Sequence, residues 1–444
     1  MITIIANCHV ATVDAAGTEY SSGHVAFDED GIILVGEGMP PKMGGESRIV
    51  DGRGLLVTPG LVNTHHHLYQ WITRGYATDH TLFEWLATLY PVWARLTPEL
   101  VHDSAAANLA WLALTGCSMS TDHHYVHPTG GQLEATIEAA GEIGLRFHPT
   151  RGSMNLGQSD GGLPPDEVVE QHDAILAATA EAIDRWHDPA REAMLRIAVA
   201  PCSPFSVTAE LMRDSAALAR EKGVRLHTHL AETTDEEKYC QETFGRTPAE
   251  LADGLGWLAP DVWLAHCVHL APAAIDRFAA TGTAVAHCPT SNGRLGAGIA
   301  PVRALRSAGV AVGLGVDGAA SNESGRMVDE LQQSALAARY VGGPTALAAR
   351  VALEMGTMGG ARCLGREGEL GSIEAGKLAD LALWRVDDLG GAGIADPVCT
   401  LVLGAARLER LYVNGREIVA DGELQTADAA ELAHRAATAS EAIA

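Results

Sequence analysis

Residues 58–67 read Thr58-Pro59-Gly60-Leu61-Val62-Asn63-Thr64-His65-His66-His67, an apolar run that ends in three histidines. A strand alternates its side chains between two faces, so His65 and His67 turn inward together while His66 points away. Taken as Leu56–Val62, this is the first of eight short apolar runs. The others are Cys117–Asp122, Leu145–Arg151, Leu195–Pro201, Val224–His229, Val262–His266, Thr283–Cys288 and Val312–Asp317. Most are Leu-rich or β-branched without polar alternation, the pattern of strands buried on both faces. Helix-like stretches such as Glu99–Gly116, Pro165–His187 and Ala271–Thr281 lie between them. Eight strand-and-helix units over about 300 residues fit a (β/α)8 barrel of the α/β class. A doubly wound open sheet shares the same local grammar.

Working outward, both ends change texture. Residues 1–56 hold short strands and turns, such as Gly31-Ile-Ile-Leu-Val and Asp51-Gly-Arg-Gly. Residues 365–444 hold more, and Asn414-Gly415 between two apolar runs is a strong hairpin signal. The two ends are therefore expected to form one small β-sandwich domain (1–56 with 365–444), flanking a barrel over 57–364. The Ala/Glu-rich tail from about residue 426 reads as a helix packed on the outside.

Composition narrows the function. The chain has 444 residues, 31 Lys+Arg against 56 Asp+Glu and a net charge of −25. Phosphate backbones and anionic lipids need clustered Lys/Arg, so no nucleic-acid or membrane partner is expected. No uncharged apolar stretch reaches the length of about 20 residues that a membrane span needs. The amino end, Met1-Ile-Thr-Ile-Ile-Ala-Asn, lacks the basic and small-residue pattern of a secretion signal. Eight cysteines are spread singly, without a CxxC pair, which suits reduced thiols and a cytoplasmic address.

The chemistry-bearing residues sit at strand ends. Strand one ends in His65 and His67, strand five in His227-Thr228-His229 with Glu232 just beyond, strand six at His266, strand seven at His287 and strand eight at Asp317. In a barrel the carboxyl-terminal rim builds the reaction site. Taken singly, His124, His148 and His287 read as hydrogen-bonded core residues. The joint placement of His65, His67, His229, His266 and Asp317 reads as a metal site. Nitrogen ligands with a carboxylate suit Zn2+ first and also Fe2+. There is no lysine between Lys42 and Lys222, so no modified lysine on strand three or four can bridge two ions, and one divalent ion is expected. An HExxH helix and a PCxxC companion to HxE are both absent.

An ion with an open position lowers the pKa of bound water towards neutrality and makes a nucleophile. Glu232, three residues past His229, is the proton carrier in this reading. Asp317 holds the water as well as the ion, and His266 stabilises the developing oxyanion. Asp235, Glu236 and Glu237 read as surface acids.

These motifs resemble the amidohydrolase superfamily over essentially the whole chain. The matching pieces are Thr58–His67, His227–Glu232, Leu264-Ala-His-Cys-Val-His269, His287-Cys-Pro-Thr-Ser-Asn292, Gly315-Val-Asp-Gly-Ala-Ala-Ser-Asn322 and the closing Gly371-Ser-Ile-Glu-Ala-Gly-Lys-Leu-Ala-Asp-Leu381. The resemblance implies metal ligands at His65, His67, His229 and Asp317, with catalytic roles for Glu232, His266 and Asp317. It points to the branch holding amino-purine, S-adenosylhomocysteine and triazine hydrolases, and within it to the 8-oxoguanine deaminases. The stretches that carry this finer likeness are His65-His-His-Leu-Tyr-Gln70, Arg151-Gly-Ser-Met-Asn155, Gly161-Gly-Leu-Pro-Pro165 and Ala200-Pro-Cys-Ser-Pro-Phe-Ser-Val207.

The implied reaction is hydrolytic deamination of an amino-purine, 8-oxoguanine to urate plus ammonia. Isoxanthopterin or another pterin, guanine and s-triazines are the alternative substrates, and a silent binding barrel is disfavoured because no ligand is missing. Guanine deaminases carry a glutamine three residues after the second metal histidine, where Gln70 stands; its amide offers both donor and acceptor to a lactam–amine edge. Arg151, Tyr69, Trp71, Phe205 and His269 complete the expected substrate contacts, and His123 is expected to order a nearby loop. A small aminated heterocycle is the expected partner, and a homo-oligomer, a dimer or higher, the expected assembly.

Overall fold

In a computed structural model that describes residues 1–444, the opening run is two strands, not one. Leu55–Pro59 belongs to a terminal sheet and Leu61–Asn63 to the barrel. The break is at Gly60, whose N–H donates to the Asp380 carbonyl at 2.9 Å; a Cβ there would collide with the Ser118 side chain. The close approach of two distant segments, not the local sequence, divides the run.

Eight parallel strands then close into a barrel, settling the fold against an open sheet. They are Leu61–Asn63, Cys117–His124, Arg146–Ser153, Ala198–Pro201, Leu226–Leu230, Val262–His266, Ala284–His287 and Val312–Leu314. Pairing of Leu314 with Asn63 completes the ring. The fourth strand is shorter than its apolar run, and the Pro165–His187 stretch is helical only from His172, after a turn of 3-10 helix at Asp166–Val168. Outward residues such as Phe147, Val199, Leu226 and Leu264 join the surrounding helices in the largest apolar cluster. Inward residues at the amino-terminal end, among them Val62, Met119, Ala198 and Trp263, pack on Ala361, Cys363, Leu364, Leu370 and Leu378. That last segment closes the barrel floor. Full burial of each such large apolar side chain stabilises by about 1.5–3 kcal/mol.

Both chain ends contribute to one nine-stranded sheet. Its first strand, Ile2–Ala11, shifts register around Asn7, which has φ +62°. Ser47–Asp51 pairs with its first half and Leu55–Pro59 with its second. The rings of Phe27 and Tyr412 meet at 5.0 Å although four strand spacings separate them along the sheet, roughly 19 Å if it were flat. The sheet therefore curls onto itself around Ile5, Val25, Phe27, Val57, Leu383 and Tyr412, a sandwich made from one continuous ladder. Asn414 and Gly415 both have positive φ, +50° and +74°, as a two-residue hairpin turn requires.

The sheet is bolted to the barrel by Arg146, which is fully buried and forks onto Asp380 at 3.0 and 3.1 Å. The tail forms a helix, Ala429–Ile443, started by the Asp428 side chain. Its buried stripe of Leu432, Ala436, Ala439 and Ile443 does not simply lie on the outside. Ser440 Oγ donates to the Ile72 carbonyl at 2.8 Å and Arg95 holds the Ile443 carbonyl at 2.6 Å, directly behind the barrel mouth. No helix is long and apolar enough to cross a membrane.

Candidate metal centre

Three imidazoles meet at the carboxyl-terminal mouth, and their outer hydrogen bonds fix which nitrogen faces in. His227 Nδ1 lies 2.8 Å from the Trp263 carbonyl, so it is protonated and donates. Its Nε2 must then accept from His65 Nδ1, at 2.8 Å, which leaves His65 Nε2 with a free lone pair. His67 Nδ1 donates to the His123 carbonyl at 2.7 Å and His229 Nδ1 to the Cys202 carbonyl at 2.6 Å, so both their Nε2 atoms are lone pairs too. Orientation of metal-binding imidazoles by such outer partners is general.

These lone pairs converge. His67 Nε2 is 3.1 Å from His229 Nε2, while His65 Nε2 and His67 Nε2 are each 3.2 Å from Asp317 Oδ1. Two bare lone pairs repel at that distance. Ligand atoms sharing a tetrahedral ion at about 2.0–2.2 Å stand a little over 3 Å apart, so the spacing is that of a coordination shell. The donor set thus fits a divalent metal ion. Burial drives His65 down to about 3 and holds His229 well below the usual imidazole range, keeping both neutral.

Backbone strain aims the groups inward. Ala231, His266, Cys267 and Asp317 have positive φ (+52°, +69°, +50° and +62°), all at strand ends of the mouth. Glu236, read from sequence as a surface acid, is fully buried instead: its carboxylate accepts from the N–H groups of Ala231 and Glu232 at 2.9 and 2.8 Å and pins that turn. Ser291 Oγ donates to Asp317 Oδ2 at 2.6 Å, and Asn292 Oδ1 accepts from His266 Nδ1 at 2.9 Å. His266 Nε2 then faces Glu232 Oε2 at 3.6 Å. Burial and the charge of Asp317 push Glu232 well above the usual carboxyl range.

A cavity of about 30 Å³ adjoins these groups, lined by His67, His229, Glu232, His266 and Asp317. Gln70 reaches it with both amide atoms unpartnered, and Gly318 leaves the room its amide needs. Phe205 is in the wall, against Phe83 at 4.8 Å. Four expected substrate contacts lie elsewhere. Leu68–Thr73 is a 3-10 turn with three residues per turn, so Gln70 shares a face with His67 while its neighbours diverge. Tyr69 is buried behind His67 against Trp93, and Trp71 stacks under Arg74 at 3.6 Å in a separate groove facing Trp111. Arg151 shares the outward side of its strand with Phe147 and forks onto Glu170 at 2.6 and 2.8 Å. His269 binds the Ala297 carbonyl at 2.9 Å and orders that loop.

Other walls were not foreseen. The helix Leu82–Trp93 presents Leu82, Trp85, Leu86 and Tyr90 to the cavity, and Tyr125, Cys202, Leu295 and Ser321 complete it. The helical spacing of that apolar stripe is readable in sequence; the surface it covers is not. His123, expected to order a loop, instead binds the Ala200 carbonyl of the fourth strand through Nε2 at 3.0 Å and stacks its ring on His229 at 4.7 Å, with Nδ1 unpartnered. His66 turns away to Asn108, as alternation requires.

Residues 56–418 match the amidohydrolase family. The chain is 45% identical to an 8-oxoguanine deaminase of Pseudomonas aeruginosa over 96% of each protein. It is 35% identical to an isoxanthopterin deaminase from an unknown prokaryotic organism, covering 97% of this chain and 95% of the relative. Its fold superposes with a TM-score of 0.94 on an atrazine chlorohydrolase from Arthrobacter aurescens solved with zinc, at 33% identity and covering 99% of this chain and all of the other.

Proposed function

The chain belongs to the amidohydrolase family, and from that premise we propose that it hydrolyses the exocyclic C–N bond of an amino-purine, converting 8-oxoguanine and water to urate and ammonia. The observation that carries the reading is the set of three unprotonated Nε2 atoms and one Asp317 oxygen facing a common point. We read His65, His67, His229 and Asp317 as ligands of one ion, Zn2+ before Fe2+, since the set is N3O without sulfur. The absence of any lysine between Lys42 and Lys222 argues for one ion, not two. When bound, such an ion supplies a water acidic enough to attack at neutral pH.

The remaining chemistry falls to side chains. Glu232, buried beside His266, stands where its carboxyl can take a proton from the attacking water and pass it to the ring nitrogen. Asp317 takes the last proton and passes it to the leaving amine. His266, fixed by Asn292, faces the oxygen of the tetrahedral adduct. Gln70 presents one donor and one acceptor to the purine edge, and the Leu82, Trp85 and Leu86 wall excludes water. Support for the finer substrate comes from the 45% identity to an 8-oxoguanine deaminase together with Gln70. In this reading the enzyme acts in the cytoplasm as a homo-oligomer, a dimer or higher.

Ammonia release from 8-oxoguanine, guanine, isoxanthopterin and hydroxylated triazines, on protein of measured metal content, tests it. The expected ranking has 8-oxoguanine first. A fully loaded protein that turns over none of them refutes deamination.

A further inference from the structure

Beneath the metal centre, at the amino-terminal end of the barrel, the interior becomes cationic. Alternation along the third strand sends His148 inward; Arg196 stands two residues before the fourth strand and Arg225 one before the fifth, and Arg366 comes from the segment that closes the floor. The His148 ring lies 5.8 Å from the Trp263 indole, and the Arg225 guanidinium carbon 5.9 Å from it, so one buried ring carries both.

One carboxylate meets these groups. Glu369 accepts from Arg196 Nη2 at 2.8 Å and from Arg366 Nε at 2.6 Å. Arg366, 1% exposed, spends its other nitrogens on the Ala193 and Arg191 carbonyls. Of the further acids near Arg225, Asp261 is engaged by Arg220 at 3.0 Å and Glu367 is exposed. Three guanidinium groups face one carboxylate, an excess of two positive charges (3 − 1); Arg366 is buried, while Arg196 and Arg225 are part-buried.

The hydrogen bonds are incomplete in the same spot. Arg196 Nε, Arg225 Nε and both ring nitrogens of His148 have no partner, although none of the four touches solvent. A buried N–H without an acceptor is costly. A water would accept from one or two of these donors but bring no charge. We propose that a small monovalent inorganic anion of the chloride class occupies the barrel floor, accepting from Arg196 Nε, Arg225 Nε and the His148 ring. Such an ion ties the floor segment, through Arg366 and Glu369, to the strand entrances of Arg196 and Arg225. Its role is to hold the barrel closed beneath His229, four residues along the same strand as Arg225.

Bromide is the probe. Crystals of the metal-loaded protein soaked in sodium bromide should show an anomalous peak within hydrogen-bond reach of Arg196 Nε, Arg225 Nε and His148. Water there without anomalous signal, or bromide at the surface alone, overturns the proposal. In solution, chloride and bromide should each raise the thermal midpoint by about 2 °C over gluconate at matched ionic strength. Arg225→Gln should abolish that difference. Equal midpoints for the wild-type protein in all three salts contradict the proposal, and stabilisation by phosphate but not by chloride rejects the anion class.

Discussion

Replacing Asp380 by Asn leaves Arg146 charged at a junction where it is 0% exposed. The wild-type carboxylate accepts two guanidinium N–H groups and the Asn414 N–H at 2.8 Å, while the Asp380 carbonyl takes the Gly60 N–H. Asn can supply one acceptor oxygen but turns an NH2 group towards a cation. Removing one member of a buried pair costs about 3–5 kcal/mol, because the other charge stays desolvated. Two carbonyls, of Glu192 and Ala193, still accept from Arg146 Nη1, so the lower part of that range is expected. At about 1.4 kcal/mol per tenfold, 3 kcal/mol is a hundredfold or more in the opening equilibrium of the sheet–barrel junction. Urea unfolding gives the total, and hydrogen exchange at the Gly60 and Asn414 amides localises it. The double variant Arg146→Met/Asp380→Leu should recover most of the loss, since two apolar groups leave no bare charge. A loss under 1 kcal/mol for Asp380→Asn, or unchanged exchange at both amides, refutes the idea that this buried fork joins the two parts.

Glu232→Gln should lower kcat for ammonia release by about 100- to 10,000-fold with metal content unchanged, the cost of losing a positioned proton carrier. Removing the tail's hold on the barrel mouth, by Ser440→Ala with Arg95→Ala, should cost about 0.5–1.5 kcal/mol per hydrogen bond. The expected readout is a raised KM and faster proteolysis of the last helix at constant metal content. Burial pushes Glu330 up to about 8, where it accepts from Asn322 Nδ2 at 2.8 Å. A carboxyl raised above its unfolded value binds its proton more tightly when folded, so its contribution is full below the unfolded value near 4.5 and disappears as pH rises through 8. Glu330→Gln should therefore flatten the decline of the urea midpoint between about pH 5 and pH 8.

The barrel is legible in the sequence because its strands are apolar runs whose last residues carry the chemistry; His65, His67, His229, His266 and Asp317 all stand at or just past strand ends in the structure. Period-two alternation also separates His66, on Asn108, from its neighbours. What stays hidden depends on distant chain. Nothing in Leu55–Asn63 shows that Gly60 splits it, because Ser118 and Asp380 impose the break. The stripe of Leu82, Trp85, Leu86 and Trp93 announces a buried helix. Its place over the mouth is set by Arg294, which grips the Tyr76 and Ala77 carbonyls at 3.2 Å each. Tyr69 and Trp71 look as available as Gln70 until the 3-10 turn, with its different period, sends each a different way. Arg151 is turned away from the mouth by a carboxylate 19 residues on, Glu170, which holds its guanidinium.

The lone-pair argument is tested most directly by locating and counting the ion. Elemental analysis of the purified protein, with anomalous diffraction at the metal edge, should give one divalent ion per chain. It should lie about 2.0–2.2 Å from the Nε2 atoms of His65, His67 and His229 and from Asp317 Oδ1. Two ions per chain, or a fully metal-supplied protein with no ion among these four atoms, would contradict the account.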